Sequence, residues 1–420
     1  MTFIIIITLL CIFIPCYVYA GYPLILILLN KIIKKKQIQI SEITPNTTLI
    51  VSCYNEANVI RKKIENCLAL DYPKDKLQII FVSDGSDDGT DEIIKEYAED
   101  NIHLVRQEGR LGKTSGLNLA TSQLRTEIII FSDANALYQK DAIHKLVRNF
   151  NDPTVGYVVG AALYVDTDAD SASSSEDSYW QYEIYIKKLE SNLHSVVGGD
   201  GAIYAIRSHL YETLDAKDIN DFVNPLQIIA KGYRGIFDQE AKCFEETAGS
   251  FYKEGRRKER IVNRSFRGLM KVKSVLNPFK TGLFSLEVIS HKLLRWLIPF
   301  FIIGMTVGFL VLSYNDFLYF QIFLLLEITF FWLAAIGYFL SSSEKIPHII
   351  SIPYYFVLVN ISSLLGIIQA LKGNIQVTWS PPRQHKSASS PVLSKRVGII
   401  ILLLIVSVSI FTEISLRAIN

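Results

Sequence analysis

The sequence predicts an α/β domain flanked by membrane-spanning helices. Between residues 46 and 250, apolar runs of strand length alternate with amphipathic helical patterns. Two of these runs end abruptly in carboxylates, at Asp84 and at Asp133. Outside this region, residues 2–30 and much of residues 294–414 are apolar enough and long enough to cross about 30 Å of hydrocarbon. These three observations indicate one α/β domain anchored in a membrane at both ends.

The alternation of strand and helix predicts a parallel sheet with helices on both faces. Strands are predicted at residues 48–54, 78–83, 102–106, 127–132 and 155–165. Helices are predicted near residues 57–70, 88–99, 113–124, 139–150, 176–194 and 222–231. Because ligands bind beyond the carboxyl ends of strands in open α/β sheets, acidic residues at those ends are the first candidates for a site.

The N-terminal segment predicts an uncleaved membrane anchor. Residues 2–30 carry no charge and are followed by Lys31 and by three lysines at 34–36. Residues 18–20 resemble a signal-peptide cleavage site, which leaves a cleaved signal peptide as the alternative. No Lys or Arg precedes the apolar run, however, and the run continues well past that site. The lysines after the anchor predict that the following domain is cytoplasmic.

The C-terminal region predicts further membrane segments. Candidate spans are residues 294–313, 318–340, 349–370 and 398–414, with a polar loop at 371–397. Residues 281–293 are expected to lie in the membrane interface, with Phe284, Leu286 and Ile289 toward lipid. If every span crossed, the loop would lie outside, although its five basic residues favour the cytoplasm. One span is therefore expected to be re-entrant or interfacial, and residues 349–370 are the candidate.

Composition narrows the class of protein. The formal net charge of the 420-residue chain is only +2, which gives no signal for nucleic-acid binding. The five cysteines show no metal-ligand spacing and are expected to be free thiols in a reducing compartment. Abundant Lys, Ile and Asn hint at an AT-rich bacterial genome.

The polar residues after the first two strands are candidates for nucleotide binding. Asn55 and Glu56 follow the first strand and either line a nucleobase site or cap the next helix. Asp84 follows the second strand, where a carboxylate can accept a hydrogen bond from a uracil imide or a ribose hydroxyl. Asp87 and Asp88 are predicted to cap the helix that follows.

Two further motifs suit a metal-bound diphosphate. Asp133 and Asn135 place two oxygen ligands after the fourth strand, and hard cations such as Mg²⁺ or Mn²⁺ prefer such ligands. Lys113 begins a predicted helix, where a lysine and the helix dipole both favour phosphate. The alternatives are a turn stabilised by two Asx residues and a solvated surface lysine.

The last candidates lie in the second half of the domain. Asp221 precedes a helical pattern and is either a general base for an acceptor hydroxyl or an N-cap. A basic stretch from Lys253 to Lys273 could clamp a diphosphate or bind anionic lipid. We expect Arg260 to take the diphosphate. The residues nearer the apolar spans are expected to serve the membrane surface: Arg264, Arg267, Lys271 and Lys273.

At residues 45–275 the chain resembles the inverting family 2 glycosyltransferases with membrane helices, which include cellulose, hyaluronan and poly-N-acetylglucosamine synthases. The resemblance rests on motifs in the family's order: V-S-C-Y-N-E, V-S-D-G-S-D-D-G-T, G-R-L-G-K-T-S-G-L-N, F-S-D-A-N, G-G-D-G-A-I-Y-A-I-R, N-D-F and R-R-K-E-R-I. It implies a GT-A (Rossmann-like) fold, a nucleotide-sugar donor and a divalent metal, Mg²⁺ or Mn²⁺.

The resemblance also implies roles for single residues. Asp84 would contact uridine, Lys113 the diphosphate and Asp133, with Asn135, the metal. Asp221 would be the base, and Arg257 and Arg260 would correspond to the family's Q-x-x-R-W element. The acceptor side would be lined by Gly199, Asp200 and Gly201. Further nucleotide-sugar contacts would come from Tyr54, Asn55, Glu56 and Asn118.

Three residues depart from the family's pattern. Asn135 replaces the second aspartate of D-x-D, and Asn220 replaces the glutamate before the base. Ile261 stands where the processive synthases place tryptophan, which weakens the case for a processive polymerase.

The resulting expectation is an inverting hexosyl- or N-acetylhexosaminyltransferase of the inner (plasma) membrane, multi-pass, with a cytoplasmic catalytic domain. The resemblance implies that the donor is a nucleotide sugar, expected to be a UDP-sugar, and that the acceptor is a lipid-linked sugar or polysaccharide in cell-surface or exopolysaccharide assembly. A processive polysaccharide synthase is the alternative within the class. A non-catalytic scaffold or transporter with a degenerate transferase domain is the alternative outside it. Polysaccharide-export proteins are candidate partners.

Overall fold

The structure is a computed structural model that describes residues 1–33, 37–165, 171–246, 251–315, 317–341, 346–378, 398–406, 408–409 and 412. Three of the lysines after the N-terminal anchor, at 34–36, lie outside these residues. So do most of the loop predicted at 371–397, from residue 379 onward, and parts of the span predicted at 398–414.

The described domain is built on one eight-stranded sheet. Its strands are β1 (Thr47–Cys53), β2 (Leu77–Ser83), β3 (Ile102–Arg106), β4 (Ile128–Asp133), β5 (Leu137–Tyr138), β6 (Val155–Val165), β7 (Tyr204–Arg207) and β8 (Arg234–Glu246). They lie in the order β3-β2-β1-β4-β7-β6-β8-β5. The five strands that the sequence predicts are all present, within a residue or so of the predicted bounds.

The prediction of a wholly parallel sheet is wrong. Strands β1 to β4 pair in parallel, but β7 runs antiparallel to both β4 and β6, and β5 runs antiparallel to β8. Strands buried on both faces read as continuous apolar runs in either direction. The sequence pattern therefore located the strands without fixing their direction.

Helices cover both faces of the sheet. The helices of the domain are α3 (Ala57–Leu68), α4 (Thr90–Lys95), α5 (Lys113–Thr121), α6 (Ala142–Val147), α7 (Ser171–Leu193), α8 (Asn220–Ala230) and α9 (Phe251–Lys271). Alternate residues of β1 point to opposite sides, so that Leu49 and Val51 pack in one core cluster and Ile50 packs in the other. This burial on both faces positions the strand ends rigidly.

The apolar helices follow the predicted segments. They are α1 (Thr2–Cys16), α2 (Tyr22–Ile32), α10 (Pro278–Thr281), α11 (Leu283–Val288), α12 (Leu294–Tyr314), α13 (Leu318–Leu340) and α14 (His348–Leu371). Helices α1 and α2 are joined by a π-helical turn, as are α11 and α12. By length and composition, the described residues contain four helices able to cross a membrane: Thr2–Ile32, Leu283–Tyr314, Leu318–Leu340 and His348–Leu371.

Two expectations about these helices need correction. The segment 349–370 is not re-entrant, because α14 is a continuous helix of 24 residues even with Pro353 in its first turns, whereas an interfacial position for it stays a prediction. Phe284 does not face lipid, because it is fully buried in the core cluster shared with the domain. An interfacial position for residues 281–293 stays a prediction.

Close helix contacts connect the membrane region to the domain. Helix α14 lies along α9, where a Cβ atom at Gly366 would approach Glu259 O to 2.7 Å. Helix α7 is joined to the N-terminal helix by Tyr22, whose hydroxyl donates to Glu190 at 2.6 Å, and by Tyr182, which donates to Tyr19 O at 3.0 Å. Helices α7, α9 and α14 thereby form the walls of a pocket at one edge of the sheet.

Candidate active site

The carboxyl ends of three parallel strands meet at this edge. Cys53 of β1 is in register with Ser83 of β2, and Ser52 is in register with Asp133 of β4. The loop after β1 therefore lies between Asp84 and Asp133, as the strand order requires. A cavity of about 740 Å³ opens at Asp133 and at Glu56 of the loop after β1.

The two carboxylate oxygens of Asp84 differ in their hydrogen bonding. Its Oδ1 accepts hydrogen bonds at 2.8 Å from Gln107 Nε2 and from the backbone N–H groups of Leu111 and Gly112. Its Oδ2 is buried and has no partner among the described residues. Burial raises the pKa of Asp84, although the two backbone N–H groups act against that rise. A buried acceptor oxygen without a partner costs free energy unless a ligand donates to it.

The loop after β1 is held by the loop after β2. Asn55 adopts a positive φ of 52°, and its amide exchanges two hydrogen bonds with Asp87, at 2.7 and 2.9 Å. Asp88 accepts from Ala57 N at 3.0 Å, at the start of α3, and from Thr90 N at 3.1 Å, at the start of α4. The aspartates at 87 and 88 thus stabilise both loops, while Glu56 lines the cavity.

The guanidinium group of Arg110 lies over the ring of Tyr54. The Arg110 guanidinium carbon lies 4.1 Å from the centroid of the Tyr54 ring, within the range of a cation–π contact. This pair comes from two of the motifs that the sequence associates with nucleotide binding, and the fold brings them into contact.

Three predicted residues converge on Gly201. A Cβ atom there would lie 3.1 Å from Asp221 Oδ2, 3.3 Å from Asp133 Oδ2 and 3.3 Å from Lys113 Nζ. Lys113, the first residue of α5, also forms an ion pair with Asp133, the last residue of β4. A side chain at this position would crowd all three groups, and the cavity beside Gly201 is where reacting atoms could be held.

Asp221 lies at the start of α8, at the wall of the cavity. It is the second residue of the helix, and its Oδ1 is buried without a partner among the described residues. Burial raises the pKa of Asp221, and the Lys113 ammonium lowers it to a smaller extent. Asn220, which replaces the family's glutamate, donates instead to the buried Tyr204 hydroxyl at 2.7 Å.

The loop at residues 199–201 is fixed from both sides. Gly199 N donates to Asp221 O at 2.5 Å, and Asp200 Oδ2 accepts from Lys187 Nζ of α7 at 3.0 Å. Burial raises the pKa of Asp200, but the Lys187 ion pair outweighs burial and leaves that pKa below its usual value. Asp200 is therefore an anion that holds the loop to α7.

The basic residues of helix α9 differ in their surroundings from what the sequence predicts. Arg257 and Arg260 line the cavity, and Arg257 donates to the Tyr164 hydroxyl at 3.1 Å. Burial lowers the pKa of Arg260 to about 10, with further lowering by Arg264 and Arg257. Arg260 still carries its charge at neutral pH, in a position to attract an anion.

The prediction that Arg264 serves the membrane surface is wrong, whereas for Arg267 and Lys271 it stays a prediction. Arg264 is buried and donates to the carbonyl oxygens of residues 216–218 and to Thr114 Oγ1. Arg267 and Lys271 both form ion pairs with the buried Asp218. These cations hold the segment before Asp221. A surface role for Lys273 stays a prediction.

Asn118 does not line the cavity. Its side chain donates to Leu214 O at 2.7 Å and accepts from Tyr211 Oη at 2.7 Å and Leu214 N at 3.1 Å. The amide is engaged within the protein, so its predicted contact with the nucleotide sugar is replaced by a structural role. It connects α5 to the segment that leads to α8.

Three residues at the site escaped the sequence analysis: Lys63, Glu245 and Trp180. Lys63 is fully buried in α3 and donates to Ser132 Oγ at 2.9 Å and to Ala136 O, which fixes the turn that carries Asp133. Glu245 of β8 lines the cavity, and its pKa is raised to about 8 by burial and then by Asp133 and Asp200. An isolated lysine, glutamate or tryptophan outside a motif gives no signal in the sequence.

The donor set fits a metal that is shared with a substrate. Asp133 and Asn135 both line the cavity, and their side chains offer oxygen ligands to a hard cation. Within the part of the chain that the structure describes, no three His, Cys, Asp or Glu side chains are grouped closely enough to hold a metal alone. Mg²⁺ is commonly held by one or two carboxylates and completed by substrate phosphates. Asp133 and Asn135 fit that arrangement.

Comparisons with known proteins identify the class. Residues 48–213, less than half of the chain, match the model of the family described as Glycosyl transferase family 2, and this part of the chain is a family 2 glycosyltransferase domain. The fold is the GT-A fold of glycosyltransferases. A mannosyltransferase from Pyrobaculum calidifontis, solved in complex with GDP-Man and Mn²⁺, superposes with a TM-score of 0.63 at 22% identity. The match covers 87% of this chain and 99% of that one.

Two curated relatives match the chain in sequence. The poly-beta-1,6-N-acetyl-D-glucosamine synthase of Staphylococcus aureus is 36% identical over 130 residues, which are 30% of this chain and 31% of that protein. A probable glycosyltransferase of Bacillus subtilis is 35% identical over 122 residues, 28% of this chain and 29% of that protein. The chain thus spans less than a third of the length of these relatives.

Proposed function

We propose that the protein transfers a sugar from a UDP-sugar to a growing polysaccharide or lipid-linked sugar, with inversion at the anomeric carbon. The observation that carries the proposal is the convergence of Asp221, Asp133 and Lys113 on Gly201. A base, a metal-binding carboxylate and a cation for the diphosphate come from three separate motifs, and they share one small space. A scaffold without activity has no need for that arrangement.

Asp221 removes the proton from the acceptor hydroxyl. Its carboxylate faces the cavity, and its raised pKa makes it a stronger base than an exposed aspartate. The Lys113 ammonium opposes that rise in pKa and so favours the ionised carboxylate that accepts the proton. The deprotonated hydroxyl then displaces the nucleoside diphosphate in one step.

The departing diphosphate needs positive charge. Lys113 and Arg260 supply it from the two sides of the cavity, since Lys113 lies at Asp133 and Arg260 lies in α9. Asp133 and Asn135 would hold a divalent metal, which would supply positive charge to stabilise the departing diphosphate. The guanidinium of Arg260 suits phosphate because it donates in a planar fork.

The preference for a UDP-linked donor rests on Asp84. Because Oδ1 of Asp84 already accepts three hydrogen bonds, only Oδ2 remains to accept a hydrogen bond from the nucleobase. The uracil imide offers a single N–H to one oxygen. Guanine presents an N–H and an amino group side by side, and these require two adjacent acceptors.

The second candidate is processive synthesis of a polysaccharide. It is favoured by the likeness to a poly-N-acetylglucosamine synthase and opposed by Ile261, which lines the cavity in place of the tryptophan of processive synthases. We further propose that the protein is a multi-pass protein of the inner membrane, with residues 46–275 in the cytoplasm where nucleotide sugars are made.

The test is a screen of the full-length protein, purified in lipid, against UDP-, GDP- and dTDP-sugars with Mg²⁺ or Mn²⁺. Product masses identify the transferred sugar and the number of additions. Transfer from a UDP-sugar by the wild type, and its loss in Asp221→Asn, support the proposal. Absence of transfer from every donor contradicts it, and a ladder of long products favours the processive alternative.

A further inference from the structure

The wall of the cavity formed by α7 contains a tryptophan among charged residues. Trp180, Glu183 and Lys187 all line the cavity. Their spacing of three and four residues places them on one face of the helix. This face of α7 is polar, so a large aromatic side chain on it calls for an explanation other than core packing.

The surroundings of the indole ring are those of a binding surface. The Tyr164 ring lies 5.1 Å away, tilted by 40°. The ammonium nitrogens of Lys187 and Lys258 lie 5.6 Å from the ring centroid, and the guanidinium of Arg257 lies 6.0 Å from it. Three cations, all hydrogen-bond donors, thus lie over the indole ring at 5.6 to 6.0 Å from its centroid.

Two other tryptophans of the chain show the usual arrangements. Trp296 is buried against Phe222 in the core cluster, with ring centroids 5.7 Å apart. Trp332 is 48% exposed on the apolar helix α13, where lipid would cover it. Trp296 lines the same cavity, but it does so from the core cluster. Trp180 differs because it belongs to none of the core clusters of the described residues and lies beside Tyr164 and three cations.

The ring is close to the reacting groups. Lys187 is in contact with the Trp180 ring and also forms the 3.0 Å ion pair with Asp200. Asp200 precedes Gly201, around which the base and the metal-binding carboxylate converge. One ammonium group therefore separates the indole from the loop that lines the acceptor side.

We infer that Trp180 and Tyr164 form a subsite for the acceptor sugar, with a pyranose ring stacked on the indole. The C–H groups of a sugar ring carry a slight positive charge, and an aromatic face is negative. The hydroxyl groups at the edge of the sugar would accept from Lys187 and Arg257. Ile261 offers no aromatic face to the same cavity, so the stacking surface comes from α7 instead. This inference rests on the proposed transferase function.

The experiment compares Trp180→Leu with Trp180→Phe in the full-length protein. Leucine keeps an apolar side chain without an aromatic face, and phenylalanine keeps the face. Tyr185→Ala is the control, because Tyr185 lies on the same helix and is 47% exposed. Three quantities are measured for each: KM for the acceptor, KM for the donor, and the rate of donor hydrolysis without acceptor.

We expect Trp180→Leu to raise the acceptor KM on the order of tenfold or more, as for an aromatic hot spot. Donor KM and donor hydrolysis should stay at wild-type values, Trp180→Phe should recover most of the acceptor affinity, and Tyr185→Ala should behave as wild type. A structural role alone would change all three quantities together in Trp180→Leu. That result, or an unchanged acceptor KM, overturns the subsite while leaving the transferase proposal standing. A wild type that turns over no nucleotide sugar overturns the proposed function itself.

Discussion

Replacing Glu245 by glutamine is expected to stabilise the metal-free protein at neutral pH. Glu245 is only 9% exposed, and burial together with Asp133 and Asp200 raises its pKa from 4.5 to about 8. Between these two pH values the folded state holds a proton that the unfolded chain has released. Stability therefore falls as pH rises from about 4.5 through about 8.

The size of the effect follows from the two pKa values. A pH of 7 is about 2.5 units above the pKa of the carboxyl in the unfolded chain, and each unit corresponds to about 1.36 kcal/mol. Keeping Glu245 protonated in the folded state therefore costs roughly 3 kcal/mol of stability. At pH 5 the same calculation gives less than about 1 kcal/mol. Glutamine cannot ionise and avoids this cost at either pH.

The assay is thermal unfolding in detergent with a chelator present, at several pH values between 5 and 8. The melting temperature of Glu245→Gln should exceed that of the wild type by several degrees at pH 7, and the difference should shrink toward pH 5. Glu108→Gln is the control, because Glu108 is exposed. A difference that is constant across this range, or larger at pH 5, would refute the reasoning.

Four further predictions concern catalysis and topology. Asp221→Asn should lower turnover by roughly 10²–10⁴ with donor affinity nearly unchanged, measured by steady-state kinetics, because the base touches the acceptor. Asp133→Asn should abolish Mn²⁺-dependent turnover in a folded protein, since Asn135 offers no charge to the metal. Arg260→Lys should cripple transfer in any lipid because an ammonium cannot replace a bidentate guanidinium, whereas Lys273→Ala should matter only in anionic bilayers. Residues 46–275 should resist protease added outside intact cells if the domain is cytoplasmic.

Each of these has an outcome that contradicts it. Loss of donor affinity with turnover intact in Asp221→Asn would place Asp221 at the donor. Wild-type activity of Asp133→Asn with Mn²⁺ would remove it as the metal ligand. Equal losses in neutral detergent for Arg260→Lys and Lys273→Ala would remove the distinction between them. Cleavage of residues 46–275 from outside would reverse the proposed orientation.

Much of the site could be predicted because its residues follow strands. A buried strand ends where polar residues begin, and this change is visible in the sequence at Asp84 and at Asp133. The fold then brings those ends to one edge, as neighbouring parallel strands must. Lys113 and Asp221 were identified from helix starts and from the family's motifs, and the structure places both within reach of Asp133.

The wrong predictions share one cause, which is that a sequence pattern does not identify partners. Arg264 and Asn118 read as polar residues on helices, and only the folded chain places them against the carbonyl groups of residues 214 to 218. Phe284 reads as a residue facing lipid, yet the domain covers it. Hydropathy indicates that a side chain is buried away from water. It does not indicate whether the side chain is covered by lipid or by protein.

The sequence by itself determined the positions of the strands, the apolar helices at both ends and the motif residues at the strand ends, because local hydropathy and turn chemistry encode them. The tertiary structure decided the antiparallel insertion of β7, the convergence on Gly201 and the wall of α7 that carries Trp180. These features depend on contacts between residues that are tens to hundreds of positions apart. No local pattern records such contacts, since they form only when the packed sheet and helices bring the segments together.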